Sequence, residues 1–149
     1  MQSAVEFATN TRIHVALEAS DVERSTAFYQ MLLGEGPSKE RDGYAKFEPA
    51  DPPVNLTLNR APNARPASSH FGIQVKSTEA VAEATERFRR AGYETETEDA
   101  VECCYAVQDK VWVADPDGNR WEVFVVLNND AASYGECCSG AEPELVRLG

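Results

Sequence analysis

Residues 12–21 read RIHVALEASD, and residues 70–77 read HFGIQVKS. Each segment places a histidine, His14 or His70, seven residues before a polar residue suited to capping a helix, Asp21 or Ser77. Apolar and polar side chains alternate around both histidines, which predicts two strands that each have one apolar face. The chain contains only two histidines, so their matching positions indicate a duplicated unit.

A helix is expected after each of these strands. The first should begin at Asp21, run to about Leu33 and end at Gly34, since glycine readily adopts the left-handed conformation that closes a helix. The second should begin at Ser77 and end at Gly92. Its apolar side is predicted to carry Val81, Ala84, Phe88 and Ala91.

Further strands complete each copy of the unit. They are predicted near Lys39 and at Tyr44–Phe47 and Val54–Asn59 in the first copy, and at Tyr93–Thr97, Tyr105–Ala114 and Arg120–Leu127 in the second. If helices cover the apolar outer faces of curved sheets, the opposite faces line a concave interior. We therefore expect one domain over residues 12–127, with modules at about 12–60 and 70–127, a linker at 61–69 and a flexible cysteine-containing tail at 128–149.

Composition limits the partners and the compartment. The formal net charge is -11, which argues against nucleic acid and anionic membranes as partners. No apolar run approaches the ~20 residues of a membrane span, and residues 1–10 do not resemble a signal peptide. The four cysteines form two adjacent pairs and not a secreted disulfide framework. A cytoplasmic location is therefore expected.

Three side chains are candidate metal ligands. His14, His70 and Glu122 are each predicted to lie on the concave face of a strand, and Glu122 stands between apolar neighbours where an unpaired carboxylate would be costly. Two histidines and one carboxylate are typical of non-haem Fe(II) oxygenases, although Zn(II), Mn(II) or Ni(II) could also bind. The alternative is that both histidines are ordinary hydrogen-bonded residues. The first-module equivalent of Glu122 is predicted to be Asn55, with Thr57 next on the same face, so three protein ligands are expected.

Cys103 and Cys104 form a second candidate site. Adjacent side chains in a strand point to opposite faces, so we predict that this pair lies on a loop at the mouth of the cavity, where both thiols can bind one soft ion. The alternative is a pair of small buried apolar residues. Cys137 and Cys138 lie in the predicted tail, where they could relay a soft ion or form an accessory metal site.

Two segments resemble a known group of proteins. Residues 102–113, ECCYAVQDKVWV, and residues 115–123, DPDGNRWEV, are similar to the ArsI carbon–arsenic lyases and the cadmium-induced CadI proteins of the vicinal oxygen chelate superfamily. The resemblance covers nearly all of residues 12–127. It implies an α+β fold of two βαβββ modules that form a curved mixed-sheet cup around a metal site.

The resemblance also implies an activity. By analogy, His14, His70 and Glu122 bind Fe(II), Cys103 and Cys104 bind arsenic, and O2 is the co-substrate for cleaving the carbon–arsenic bond of trivalent organoarsenicals such as methylarsenite. Some relatives carry Gln at the position of His14. A cadmium- or arsenite-binding resistance protein without catalysis, or another enzyme of the superfamily such as an extradiol dioxygenase, remains an alternative. The chain could act as a monomer or as a homodimer.

Overall fold

The computed structural model describes residues 2–10, 12–67, 70–103 and 106–128. The first module contains a strand, a helix and three further strands. Its elements are β1 (Ile13–Ala19), α1 (Val22–Leu33), β2 (Lys39–Arg41), β3 (Tyr44–Phe47) and β4 (Val54–Arg60). The second module repeats this order. Its elements are β5 (His70–Gln74), α2 (Thr78–Arg90), β6 (Glu96–Cys103), β7 (Ala106–Ala114) and β8 (Arg120–Asn128).

The two modules have the same sheet topology. The strand order is β1-β4-β3-β2 in the first sheet and β5-β8-β7-β6 in the second. The histidine-bearing strand of each module is an outermost strand and pairs in parallel with the last strand, while the other pairs are antiparallel. The predicted duplication and the α+β fold class with two βαβββ modules are confirmed.

The helix ends follow the chemistry of their flanking residues. The Asp21 carboxylate accepts a hydrogen bond from the backbone N–H of Arg24, and the Ser77 hydroxyl accepts one from that of Ala80. Both bonds satisfy helix N–H groups that otherwise lack an intrahelical partner. Gly34 ends α1 with φ 77°, a conformation that glycine adopts without a steric penalty. The predicted starts and glycine ends are thus confirmed, whereas Ala91, predicted on the apolar side of α2, is exposed.

A single hydrophobic core lies between the helices and the inner faces of the two sheets. It joins residues of both modules, among them Leu17, Phe28, Tyr29, Leu56, Leu58, Val81, Phe88, Val111, Trp121 and Val123. The modules also share a buried polar contact, in which the Tyr29 hydroxyl donates to Asp115 at 2.7 Å and accepts from the Trp121 indole N–H at 3.2 Å. Burial and the neighbouring Asp115 carboxylate raise the pKa of Tyr29 far above its usual value, so the hydroxyl remains a donor.

Strand β6 differs from the prediction. The sequence predicts a strand at Tyr93–Thr97, whereas β6 begins at Glu96, continues to Cys103 and pairs with β7 on both sides of a bulge between Glu98 and Val101. Ala100 within the bulge has φ 50°, and its N–H donates to the Asp109 carboxylate at 2.6 Å. Asp109 therefore stabilises the irregular segment from the neighbouring strand. Among the described residues, no helix is long and apolar enough to cross a membrane.

Candidate metal centre and thiol pair

His70 and Glu122 come together on the open face of the second sheet, the face opposite α2. Glu122 on β8 pairs in register with Gly72 on β5, and His70 lies two residues from Gly72 on the same side of that strand. The His70 Nε2 and Glu122 Oε1 atoms are 3.8 Å apart. Glu122 is only 8% exposed, as expected for a carboxylate that has charged or metal partners.

Lys110 is the charged partner of Glu122. Its Nζ atom lies 3.0 Å from Glu122 Oε2, and the residue is only 1% exposed. The ammonium also lies 5.6 Å from the centre of the Trp112 ring and 6.0 Å from that of Phe124, distances at which an aromatic face attracts a cation. The carboxylate thus has one oxygen beside an ammonium and the other beside an imidazole.

Gly72 provides the space that Glu122 occupies. A Cβ atom at position 72 would lie 3.1 Å from Glu122 Cγ, 3.3 Å from Glu122 Oε1 and 3.1 Å from a ring carbon of Phe124. These distances are shorter than ordinary van der Waals contacts. Any larger residue at this position would therefore push the carboxylate away from His70.

His14 lies in the first sheet, on an exposed position of β1. Its Nδ1 atom is 2.9 Å from the backbone carbonyl oxygen of Asn55. A carbonyl oxygen can only accept, so Nδ1 carries the proton and Nε2 of the neutral ring keeps its lone pair. This is the arrangement usual for a metal-binding histidine, whose other nitrogen donates to a carbonyl or carboxylate.

The structure does not bring His14 to the His70–Glu122 pair. Within the part of the chain that is described, no three His, Cys, Asp or Glu side chains gather into a group that could hold a metal ion. A divalent first-row metal lies about 2 Å from each nitrogen and oxygen ligand, so two ligands at a right angle are about 3 Å apart. The His70 and Glu122 atoms, at 3.8 Å, would have to move slightly closer together to share one ion. A single chain thus has two candidate ligands side by side, His70 and Glu122. The third, His14 with its proton on Nδ1, lies elsewhere in the described structure.

The strand registers correct one assignment. Ala16, two residues after His14, pairs with Thr57, just as Gly72, two residues after His70, pairs with Glu122. The first-module equivalent of Glu122 is therefore Thr57 and not Asn55 as predicted. The expectation of no fourth ligand does not depend on this change, because a threonine hydroxyl is also a poor ligand for these metals.

The thiol pair is described only in part. Cys103 is the last residue of β6, and its backbone pairs with Ala106, so the predicted loop is wrong for this residue. The bulge and the hydrogen bond to Asp109 allow β6 to continue beyond Thr97, where the predicted strand ends. Cys104, Cys137 and Cys138 lie outside the described residues.

Sequence reasoning missed part of the site. Gly72, Gln108, Lys110 and Trp112 were not predicted to belong to the site. Trp112 lies edge-on to His70, with ring centres 5.0 Å apart, and the buried Gln108 Oε1 has no hydrogen-bond partner in the described structure. The alternation of Gln108, Lys110 and Trp112 against Val111 and Val113 was the available signal.

We expect Gly72→Ala to lower the affinity of the site for a divalent metal about 10- to 100-fold, the range typical when the support of a ligand is disturbed. The added methyl group would displace Glu122 without removing any ligand. Titration with Co(II), followed by visible absorption, measures the change. Gly36→Ala is the matched control, because its Cβ atom would meet only the Gln30 side chain at 3.7 Å. Equal affinities for the two variants would contradict the assigned role of Gly72.

Comparisons with known proteins agree with the fold. Residues 12–123 match the glyoxalase/bleomycin resistance protein/dioxygenase superfamily. A trivalent organoarsenical cleaving enzyme from Thermomonospora curvata is 42% identical over 135 residues, which cover 87% of this chain and 89% of that protein. The cadmium-induced protein CadI from Mycobacterium tuberculosis is 41% identical over 125 residues, which cover 84% of this chain and 82% of that protein.

Solved structures share the architecture. A glyoxalase/bleomycin resistance protein/dioxygenase from Nocardioides superposes with a TM-score of 0.64 and 25% identity, covering 87% of this chain and 91% of that one. A similarly described protein from Alicyclobacillus acidocaldarius has a TM-score of 0.66 at 17% identity and covers 80% and 94%, which supports the fold alone. The resemblance found in the sequence is confirmed, and the chain belongs to the glyoxalase/bleomycin resistance protein/dioxygenase superfamily.

Proposed function

We propose that this protein is an Fe(II)-dependent dioxygenase that cleaves the carbon–arsenic bond of trivalent organoarsenicals in the cytoplasm. The observation that carries the proposal is that three candidate functional residues lie in one four-stranded sheet. It bears Glu122 on β8 and His70 on β5, with Cys103 at the end of β6. One sheet thus carries two candidate metal ligands and a residue with a soft donor atom. The similarity to a Thermomonospora curvata protein named as a trivalent organoarsenical cleaving enzyme supports this substrate class.

The proposed chemistry balances without an added reductant. Methylarsenite and one O2 give arsenite and formaldehyde: the methyl carbon is oxidised, O2 is reduced, and a carbon–arsenic bond is exchanged for an arsenic–oxygen bond. Bound Fe(II) would supply the activation of O2. Cys103 and Cys104 would bind arsenic as thiolates and release two water molecules, which converts a bimolecular reaction into one within the complex. His70, Glu122 and His14 would hold the metal and leave positions open.

The proposal depends on the distance between the thiols and the metal ligands. Strand β7 runs from Ala106, beside Cys103, to Trp112, beside Glu122. An extended strand rises about 3.4 Å per residue, so the two positions lie about 20 Å apart along the strand. Methylarsenite bound to a cysteine side chain cannot span this length, so the proposal requires the thiol pair and the metal to lie closer together in the substrate complex. X-ray absorption of the anaerobic complex should therefore show sulfur neighbours around arsenic and a nearby metal.

We further propose that a second copy of the chain supplies His14. Both β1 and β5 are outermost strands of the described sheets, and Ile13 next to His14 is 69% exposed, so the described part of the chain leaves the edge that carries His14 accessible to a second copy. A two-fold dimer that places β1 of one copy near β5 of the other would add His14 to each His70–Glu122 pair.

Oxygen consumption tests the lyase. We expect anaerobic, Fe(II)-loaded protein to consume O2 and release arsenite when methylarsenite and then air are added. Cys103→Ser and Cys104→Ser should each lose most of this activity, because one thiolate holds arsenic far less firmly than two. Cys137→Ser is the control for general thiol loss. Full activity in either of the first two variants would overturn the thiol role, and catechol turnover that ignores Cys103→Ser would indicate an extradiol dioxygenase instead.

A soft-metal binding protein without catalysis is the second candidate. It is favoured by the similarity to a protein named for its induction by cadmium. Such a protein needs the thiols but not the His70–Glu122 pair. Cells that carry His70→Ala should lose resistance to methylarsenite if the protein is an enzyme, and should keep resistance if it only sequesters the metalloid.

A further inference from the structure

The two oxygens of Glu122 have different neighbours. Oε2 lies 3.0 Å from Lys110 Nζ, while Oε1 lies 3.8 Å from His70 Nε2. A free carboxylate can bind a metal through one oxygen or through both. The choice matters, because each additional ligand atom occupies one of the positions that a substrate would need.

Lys110 is held firmly in its place. The residue is 1% exposed, and a buried ammonium is costly unless an anion pairs with it. Trp112 and Phe124 flank its charged end and stabilise the cation through their ring faces. Its strand, β7, is hydrogen-bonded directly to the strand of Glu122. Lys110 therefore cannot leave Oε2 without leaving its charge unpaired in the interior.

The Glu122 side chain lies beside Gly72 and Lys110. A carbon added to Gly72 on β5 would lie 3.1 Å from Glu122 Cγ, so the side chain uses space that only glycine leaves open. The ammonium of Lys110 lies 3.0 Å from Oε2. Rotation that presented both oxygens to His70 would therefore take Oε2 away from the Lys110 ammonium.

We propose that Lys110 is a positioning residue that occupies Oε2 and restricts Glu122 to binding the metal through Oε1 alone. This inference rests on the proposed metal site and concerns how that site is kept open. Single-oxygen binding leaves one more position of the metal for substrate. It also explains why a lysine is buried beside a candidate ligand, where a neutral residue would avoid the cost of burying two charges.

Cobalt binding to the full chain tests the proposal. Co(II) absorption in the visible range weakens as the number of ligand atoms increases, so Lys110→Met should bind one Co(II) per site with weaker absorption than the wild type. Azide, which needs an open position, should bind about 10-fold or more weakly to this variant than to the wild type. Lys110→Arg retains a cationic donor for Oε2 and should stay close to the wild type in both measurements.

Lys39→Met is the control for the loss of a lysine. Lys39 is exposed on β2, the outermost strand at the edge of the first sheet away from β1 and His14. Unchanged absorption and azide affinity in Lys110→Met would overturn the role of Lys110 while leaving the metal site in place. If Lys110→Met does not fold, Lys110→Arg provides the test. A Co(II) spectrum of Lys110→Arg typical of a carboxylate that binds through both oxygens would contradict the proposal. A wild type that binds no Co(II) would overturn the metal site and this inference together.

Discussion

Replacement of Glu122 by Gln is expected to reduce metal affinity and carbon–arsenic cleavage by at least about 100-fold. Disturbing a group that only supports a ligand typically costs about 10- to 100-fold, and this change removes the sole anionic ligand of the proposed set. An amide oxygen is a weaker donor than a carboxylate for a divalent ion. The loss should appear both in Co(II) titration and in O2 uptake with methylarsenite.

The same substitution should also destabilise the protein without metal. Lys110 would remain buried beside a neutral amide, and removing one partner of a buried ion pair costs up to about 3–5 kcal/mol. The amide oxygen that Glu122→Gln introduces can still accept a hydrogen bond from Lys110, so we expect the lower part of this range. Urea denaturation of the metal-free variant measures the cost and shows the conditions under which the variant is folded for the binding experiment.

Glu83→Gln is the matched control for Glu122→Gln. Glu83 is an exposed carboxylate on α2, outside the candidate site and the edge strands β1 and β5. The same chemical change there should alter neither metal affinity nor unfolding by more than about 0.5 kcal/mol, the usual limit for surface substitutions. If folded Glu122→Gln protein retained wild-type metal affinity, the ligand assignment would be wrong.

Local patterns predicted the elements and many of their ends. The alternation around His14 and His70 identified β1 and β5, because the period of two in a strand follows directly from backbone geometry. Asp21 and Gly34 marked the ends of α1 through hydrogen bonding and backbone conformation that depend only on neighbouring residues. Glu122 was recognised as a buried carboxylate because a charge among apolar neighbours is visible without knowing the fold.

Properties that depend on strand pairing were not predictable in this way. Alternation says which side chains share a face of one strand, but not which residues lie opposite them on the next strand. The equivalence of Glu122 and Thr57, and not Asn55, follows from registers that only the structure reveals. For the same reason Lys110 could not be paired with Glu122. The extension of β6 to Cys103 depends on a side chain of another strand, Asp109.

The sequence patterns also did not predict how the two modules are placed relative to each other. His14 and His70 occupy equivalent positions in their modules, which suggested that they meet at one metal. Equivalent positions show that the two modules have the same internal structure, but they do not show how the modules pack against each other. Here the modules share a core through α1, α2 and the Tyr29–Asp115 contact, while His14 does not join the His70–Glu122 pair among the residues that the structure describes. A site built from two chains reconciles these observations.

Mixing two inactive variants is expected to restore activity. His14→Ala and His70→Ala should each lose both sites of a dimer. In a mixed dimer, His14 of the His70→Ala copy can join His70 and Glu122 of the His14→Ala copy, so one of the two sites is complete. Random pairing makes about half of the dimers mixed, and we therefore expect about a quarter of wild-type activity. Light scattering should show a dimer, and purified mixed dimers should bind one Co(II) per dimer.

Mixing the double variant His14→Ala/His70→Ala with the wild type is the control, and it should lower activity where the first mixture restores it. A dimer of this chain with the wild type has no complete site, because each site would contain one altered histidine. Equal mixing and random pairing should then leave about a quarter of the activity of an all-wild-type sample. If one chain builds the whole site, the two single variants should restore nothing when mixed, and the wild-type chains in the second mixture should keep about half of that activity. These two results together would exclude the shared site, because they require His14 to reach the His70–Glu122 pair within its own chain.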